Sequence, residues 1–282
     1  MSSASNRSLA GRTLIISGGS RGIGEAIAIR AAQDGANVAL LAKTSTPHPK
    51  LPGTIFTAAK AIEEAGGHAL PIVGDVRDDE SVQAAIDQTA SQFGGLDIVV
   101  NNASALDLSP TEHISMKKYD LMLDVNARGT FALTKAAIPH LRRSDNAHVL
   151  TLSPPINLAP EWFDNIGTAY TISKFSMSLV TIGLARELQG DSIAVNSLWP
   201  RTTIDTAAVR NVLGEELTAK SRKTDIMRDA AYVLLTNAAG GATGECFIDD
   251  EVLASEGVTD FAPYRYAGSE EELELDFWMH QR

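Results

Sequence analysis

Short apolar runs alternate along the chain with longer stretches whose apolar residues recur every three or four positions. Residues 13–17 (TLIIS) are β-rich and stop at glycines, which predicts a strand. Ile23, Ile27 and Ala31 then fall on one side of a helix predicted over 22–34. The pairing repeats, with strands predicted at 37–42, 69–73 and 96–100 and helices at 55–64 and 79–93. Gly66 and Gly67 stop the first of those two helices. A long helix is predicted over 115–141, with Gly129 marking an irregularity inside it. Strands at 147–152, 192–198 and 244–248 follow, separated by helical stretches at 168–189, 205–220 and 225–236. Strands this apolar are buried on both faces, and strict alternation of strand and helix implies a parallel sheet covered by helices on both sides. The predicted fold is therefore α/β: a single doubly wound, Rossmann-like domain with a seven-stranded parallel sheet, over residues 1–250. Residues 251–282 read as a C-terminal tail, acidic and solvated at 269–275 (SEEELEL), with Phe277 and Trp278 available to pack it back onto the domain.

Charge narrows the partners. The 282 residues carry 24 basic and 35 acidic side chains, a formal net charge of −11. A nucleic-acid binder needs a Lys/Arg surplus, so that class is excluded. The single cysteine, Cys246, allows no internal disulfide and no cysteine cluster, and the six histidines form no H-x-x-x-H pair, so no metal site is expected. No apolar run is long enough to span a membrane. The first eleven residues lack the apolar core of a secretory signal, and a cytoplasmic location is expected.

The candidate chemistry begins where the first strand ends. Gly18-Gly19-Ser20-Arg21-Gly22-Ile23-Gly24 is a G-x-x-x-G-x-G loop in strand–turn–helix context, a variant of the dinucleotide fingerprint. In such a loop one glycine turns tightly, one lets backbone N–H groups approach a pyrophosphate and one lets helix and strand pack closely, and a helix N-terminus is aimed at the anion. The second strand ends in Ala42-Lys43-Thr44, where an NAD-binding protein usually carries an acid for the ribose 2′-hydroxyl. Lys43 and Arg21 would instead attract a 2′-phosphate, and no carboxylate stands there to repel it; NADP(H) is expected over NAD(H). Asp75, followed by Val76, closes the third strand and either accepts from adenine or caps the next helix. Asn102 and Ala103 follow the fourth, where they either face the cofactor or stabilise a turn.

Tyr170 and Lys174 stand four residues apart, one helical turn on a common face. A tyrosine is a poor base at neutral pH, and a neighbouring ammonium would lower its pKa. Ser153, ending the fifth strand, could hold a substrate oxygen and share its developing charge. Asn126 is a poor interior helix residue; it either kinks the long helix, exposing a backbone carbonyl to a proton-relaying water, or faces solvent.

Together these residues resemble the short-chain dehydrogenase/reductase family. The resemblance covers residues 9–250, with the glycine loop, Asp75, Asn101–Ala103, Asn126, Ser153, Tyr170 and Lys174 in the family's order. It is stronger still to the family's hydroxysteroid dehydrogenase-like members and their bacterial relatives, through residues 42–57, 153–157, 169–174 and Trp199-Pro200. The resemblance implies that Tyr170 transfers the proton, Lys174 binds the ribose and assists, Ser153 orients substrate and Asn126 supports a relay. It also implies nicotinamide contacts from Pro200 and from Thr202 or Thr203, Arg201 leaving that choice open, and a homodimer or homotetramer formed through the two long helices. The expected activity is NADP(H)-dependent hydride transfer to or from an apolar alcohol, aldehyde or ketone of lipid, terpenoid or steroid type. An enoyl-thioester reductase and a non-catalytic NADP(H)-binding regulator are the rival readings.

Three features depart from the family pattern. The Ser-to-Tyr interval, 170 − 153 = 17, is long, and its extra residues include Trp162 and Phe163, which either wall the substrate pocket or pack on the core. Arg201 stands where the family usually has glycine, and 44–53 is an insertion. The sterol-carrier domain of larger eukaryotic relatives is not expected within the 282 residues.

Overall fold

The computed structural model describes residues 7–47 and 51–280. Seven strands and their crossovers follow the predicted alternation: β1 (Thr13–Ser17), α1 (Gly22–Ala32), β2 (Asn37–Ala42), α2 (Ile55–Glu64), β3 (His68–Val73), α3 (Asp79–Phe93) and β4 (Ile98–Asn101) form the first half. The second half runs α4 (Met116–Met122), a π-helical turn (Leu123–Arg128), α5 (Gly129–Leu141), β5 (His148–Thr151), the short α6 (Trp162–Asn165), α7 (Thr168–Glu187), β6 (Ala194–Trp199), α8 (Ala207–Leu213), α9 (Asp225–Thr236), β7 (Cys246–Ile248) and α10 (Asp249–Ser255). All pairings are parallel, in the order β3-β2-β1-β4-β5-β6-β7.

Alternate strand residues point to opposite faces, and each face has its own core. Leu14, Ile16, Val38, Leu40, Ile98 and Val100 pack beneath α1, α2 and α9 through Ile27, Ile62 and Met227. Ile15, Leu41, Val99, Val149 and Val195 pack beneath α3, α5 and α7 through Ile86, Leu133 and Leu184. The strand order reverses between β1 and β4. At such a point the crossovers leave in opposite directions and open a crevice beyond the strand C-termini.

Two predicted helices differ in detail. The irregularity in the 115–141 stretch is the π-helical turn that ends just before Gly129. The glycine itself packs on Val76, where a Cβ would come within 2.8 Å of Cγ2. The stretch predicted helical at 205–220 splits at Gly214, whose φ of +108° leaves the helical region, and continues as a 3-10 turn over Glu215–Lys220.

Residues beyond β7 return to the sheet's C-terminal end. Trp278 is 1 % exposed and sits with Tyr170, Phe175 and Trp199 in a third apolar cluster. The departures from the family pattern lie along this return. Asn157, in the long interval, donates from Nδ2 to the Trp278 carbonyl (3.2 Å) and to His280 Nε2 (2.9 Å). The Trp162 ring lies 5.5 Å from that of His280, while Phe163 is exposed. Arg201 is buried; its carbonyl accepts from Asp276 N (2.9 Å), and its guanidinium pairs with Asp250 (2.7 Å) and with Glu251. Asn157, Trp162 and Arg201 thus all meet the tail.

Candidate active site

The glycine loop is built by two exclusions. Gly18 has φ +69° and Gly22 φ +63°, a region L-residues enter only at a cost. A Cβ on Gly18 would meet Ala103 Cα at 2.8 Å, so this turn also needs the space. Asn102 closes the loop from the β4 side, donating through Nδ2 to the Ser17 and Gly18 carbonyls (3.0 Å each). Ser17 Oγ in turn accepts from the N–H groups of Asn102 and Ala103 (3.1 Å each). Arg21 donates to the carbonyls of Pro52 and Gly53 (2.9 Å each), which ties the inserted loop to the glycine loop. Residues 48–50 of that insertion lie outside the described residues.

A cavity of about 500 Å³ opens over this loop. Gly18, Ser20, Arg21, Gly22, Ile23, Lys43, Asp75, Val76, Asn102 and Ala103, all singled out from the sequence, line it. Gly24 does not. It is the packing glycine, since a Cβ there would strike Asn102 Nδ2 at 2.5 Å. The expectation of no carboxylate beside Lys43 is also corrected. Asp75 Oδ2 lies 3.4 Å from Lys43 Nζ and 2.6 Å from Arg77. Hydrogen bonds from Arg77 hold its carboxyl at about 2, with Lys43 adding to the effect, so it is ionised. This edge of the cavity therefore carries two cations about one anion, with Arg21 nearby.

A second cavity, of about 170 Å³, adjoins the first and shares Ile23, Asn102, Ser104, Thr206 and Ala208 with it. Tyr170, Lys174 and Pro200 line it, as does Thr203. Thr202 is turned away, buried and bridged to Leu275, so the neighbouring threonine faces the cavity instead. Leu106, Leu152, Trp199, Ile204, Val209 and Phe277 make the remaining wall mostly apolar. One charged wall residue escaped the sequence reading, Asp276 from the returning tail. The only signal for it was its place beside the apolar Phe277-Trp278 pair.

Tyr170 is 6 % exposed, with its ring stacked 5.9 Å from Trp278 and its hydroxyl hydrogen-bonded with Ser104. Its pKa is raised, not lowered as the sequence suggested. Burial disfavours the phenolate, and the charge of Asp276 adds to this against the Ser104 bond. Lys174 does not offset these effects. Its Nζ donates to the Leu152 carbonyl (2.6 Å) and to Met177 Sδ (3.3 Å), 4.9 Å from the Trp199 ring centroid. Burial pulls the Lys174 ammonium below its ordinary range, while Asp276 opposes the fall.

Two expected contributors lie outside both cavities. Asn126 is fully buried in the π-helical turn; Oδ1 accepts from Ala105 N (2.7 Å) and Nδ2 donates to the Ala105 carbonyl (3.0 Å) and Ser173 Oγ (2.9 Å). It ties the segment after β4 to α7, one residue from Lys174, and is not solvent-facing. Ser153 is also fully buried, and its Oγ has no hydrogen-bond partner.

The sequence profile described as short chain dehydrogenase matches residues 12–216. The chain belongs to the short-chain dehydrogenase family. It is 54 % identical over 256 residues to hydroxysteroid dehydrogenase-like protein 2 of Danio rerio, covering 91 % of this chain and 61 % of that protein. It thus spans about three-fifths of the length of that relative. Among solved structures, a short chain dehydrogenase from Mycobacterium thermoresistibile is 54 % identical, with a TM-score of 0.91, covering 97 % of this chain and 96 % of that one. A protein from Xanthomonas campestris described as a dehydrogenase is 48 % identical, with a TM-score of 0.92, covering 97 % and 100 %. Short-chain dehydrogenases are NAD(P)-dependent oxidoreductases acting on small molecules. Among the described residues no helix is long and apolar enough to cross a membrane, and no group of three or more His, Cys, Asp or Glu is arranged to hold a metal.

Proposed function

We propose that this short-chain dehydrogenase is an NADP(H)-dependent oxidoreductase for an apolar alcohol, aldehyde or ketone, with residues 1–250 as its cofactor-binding and catalytic domain. The observation that carries the reading is the junction of the two cavities, one over the glycine loop and one holding Tyr170 and Lys174. The glycine loop fits a dinucleotide. Side chains are excluded at Gly18, and the eleven-residue α1 begins at Gly22 with its N-terminal N–H groups on the cavity. Ser20, Arg21, Gly22 and Ile23 would hold the phosphates, Asp75 and Val76 the adenine end, and Asn102, Ala103, Pro200 and Thr203 the nicotinamide end. When bound, the cofactor supplies or accepts the hydride.

The chain's own work is proton transfer and exclusion of water. In reduction Tyr170 donates its phenolic proton to the developing alkoxide, and its raised pKa keeps that proton in place at neutral pH. Lys174, which lines the same cavity one helical turn on, would hold the ribose hydroxyls. Asn126 keeps α7 in register with the segment after β4, while Ser153, buried outside both cavities, is given no contact with the substrate. The apolar wall of Leu106, Trp199, Ile204, Val209 and Phe277 favours a hydrocarbon substrate, in keeping with the hydroxysteroid dehydrogenase-like relatives.

The cations Lys43, Arg77 and Arg21 outnumber Asp75 at the edge where a 2′-phosphate would lie, which supports NADP(H). Lys43→Ala is expected to raise KM for NADPH about tenfold, the low end for a charged hydrogen bond because Lys43 is exposed. KM for NADH should stay put. Initial rates with both cofactors across a panel of apolar carbonyls check this; a wild-type preference for NADH would reject the assignment.

Exposed Phe131 on α5 and Ile172, Leu179 and Ile182 on α7 form an apolar face on the two long helices. We propose that this face joins protomers of a homodimer or homotetramer. Ile182→Lys with Leu179→Glu should then lower the mass seen by light scattering, whereas a wild-type chain that is monomeric would refute it.

A further inference from the structure

The C-terminal return brings one ionisable group to the proton-transfer site that the proposed mechanism does not use. Asp276 lines the 170 Å³ cavity with Tyr170 and Lys174 and is half-buried, its neighbour Phe277 completing the wall. Its position is fixed from several sides. Asp276 N donates to the Arg201 carbonyl (2.9 Å), and its Oδ1 accepts from Phe277 N (2.8 Å). Two residues earlier Glu274 bonds through its backbone to Thr203 and Lys220 (2.9 Å each), and two residues later Trp278 is buried against Tyr170. A side chain held this firmly beside two reacting groups cannot be treated as a solvated tail charge.

We propose that Asp276 is a positioning residue for the reaction: its carboxylate is the counter-charge that lets Lys174 keep a proton in a buried site and keeps Tyr170 in its proton-donating form. The inference rests on the assignment of Tyr170 and Lys174 as the proton-transfer pair. The charges around Asp276 are few. Tyr170 and Lys174, from α7, line the same cavity, and Asp249, at the start of α10, adds repulsion. The Arg201 guanidinium pairs with Asp250 and Glu251, and that of Arg222 pairs with Glu270, lies 3.7 Å from Asp250 and acts through its charge on Asp249. Withdrawal from water pushes the Asp276 carboxyl up, with Asp249 adding to this and the Phe277 N–H and Lys174 opposing it. The acid and the amine thus share a coupled titration, in which loss of either charge makes the other harder to hold.

The sign of the effect separates this role from a structural one. Removing a negative charge moves the pKa of Lys174 and that of Tyr170 down together. Undocking the tail instead admits water, which lets Lys174 rise towards its ordinary value while Tyr170 falls. Carbon-13 labelling of lysine Cε and tyrosine Cζ in the full chain allows both to be titrated by NMR without any substrate, with Lys174→Arg and Tyr170→Phe assigning the resonances. In Asp276→Asn both titrations should shift to lower pH, and Asp276→Glu, which keeps the charge, should return Lys174 towards wild type. A Lys174 titration that stays in place or moves to higher pH in Asp276→Asn would overturn the proposal. Where turnover is measurable, the basic limb of the NADPH-dependent reduction profile should shift to lower pH in the same variant. The NMR result stands even if no substrate is found, so failure of the assigned activity and failure of this inference are distinguishable.

Discussion

Replacing Tyr170 with phenylalanine should lower kcat for carbonyl reduction by about 10²–10⁴-fold, the usual worth of a positioned general acid. NADPH binding should be retained. Among the described residues Tyr170 is the one phenol lining the smaller cavity. The substitution is conservative in shape, since the ring keeps its stacking on Trp278 at 5.9 Å and its edge contact with Phe277 at 6.3 Å. What it removes is the hydroxyl and its bond with Ser104. The raised pKa fixes the direction of the pH dependence. The phenol stays protonated through neutral pH and is ready to donate, so reduction should run well there. Alcohol oxidation needs the phenolate and should climb as pH rises. Nicotinamide absorbance for turnover and fluorescence titration for binding measure the two quantities separately. Retained turnover in the variant would remove Tyr170 from the mechanism.

The second large effect is expected from Trp278→Ala. The indole packs at 5.2 Å from Phe175, 5.8 Å from Trp199 and 5.9 Å from Tyr170, almost without solvent exposure. Removing a buried Trp costs about 3–5 kcal/mol through lost burial and the cavity left behind. For a domain of this size each kcal/mol lowers Tm by about 2–4 °C. Trp278 also holds φ +64°, a left-handed conformation that its packing must outweigh. Alanine keeps the backbone cost and loses the packing. If the tail stays coupled to the sheet, Tm should fall by roughly 6–20 °C. If it undocks alone, Tm moves less and proteolysis between 256 and 280 accelerates. Both outcomes should cost activity, by about 10²-fold where the Tyr170 ring is misplaced by an ångström. A variant with unchanged Tm, protease resistance and kcat would show that the tail does not brace the site.

The alternation of apolar runs and amphipathic stretches carried the fold. Each strand core is a short block of β-branched and aliphatic residues, and each helix a 3.6-residue repeat, so local pattern and final position agree. Tyr170 and Lys174 were legible for a similar reason, because helical spacing alone puts them on one face. Residues whose roles depend on distant partners were harder. One loop glycine was expected to serve packing, but only the fold shows that it is Gly24 and that Asn102, 78 residues later, fills the space. Lys43 looked free of acids, yet Asp75 from the next strand sits beside it. Thr202 and Thr203 differ only in which way the chain turns after β6, and the Leu275 bridge decides that.

By itself, then, the sequence determined the parallel α/β sheet, the glycine loop at its first crossover and the Tyr–Lys pair, because periodicity and short-range spacing encode all three. The tertiary structure alone decided the electrostatics of the inner cavity. The long Ser–Tyr interval and Arg201, which look like losses when read along the chain, are the clamps that hold the C-terminal return. That return brings Asp276 across more than 100 residues into the cavity that Tyr170 and Lys174 line. Burial and a charge from a remote segment set the pKa of a phenol more strongly than a lysine four residues away, which is why the neighbouring ammonium predicted the wrong sign.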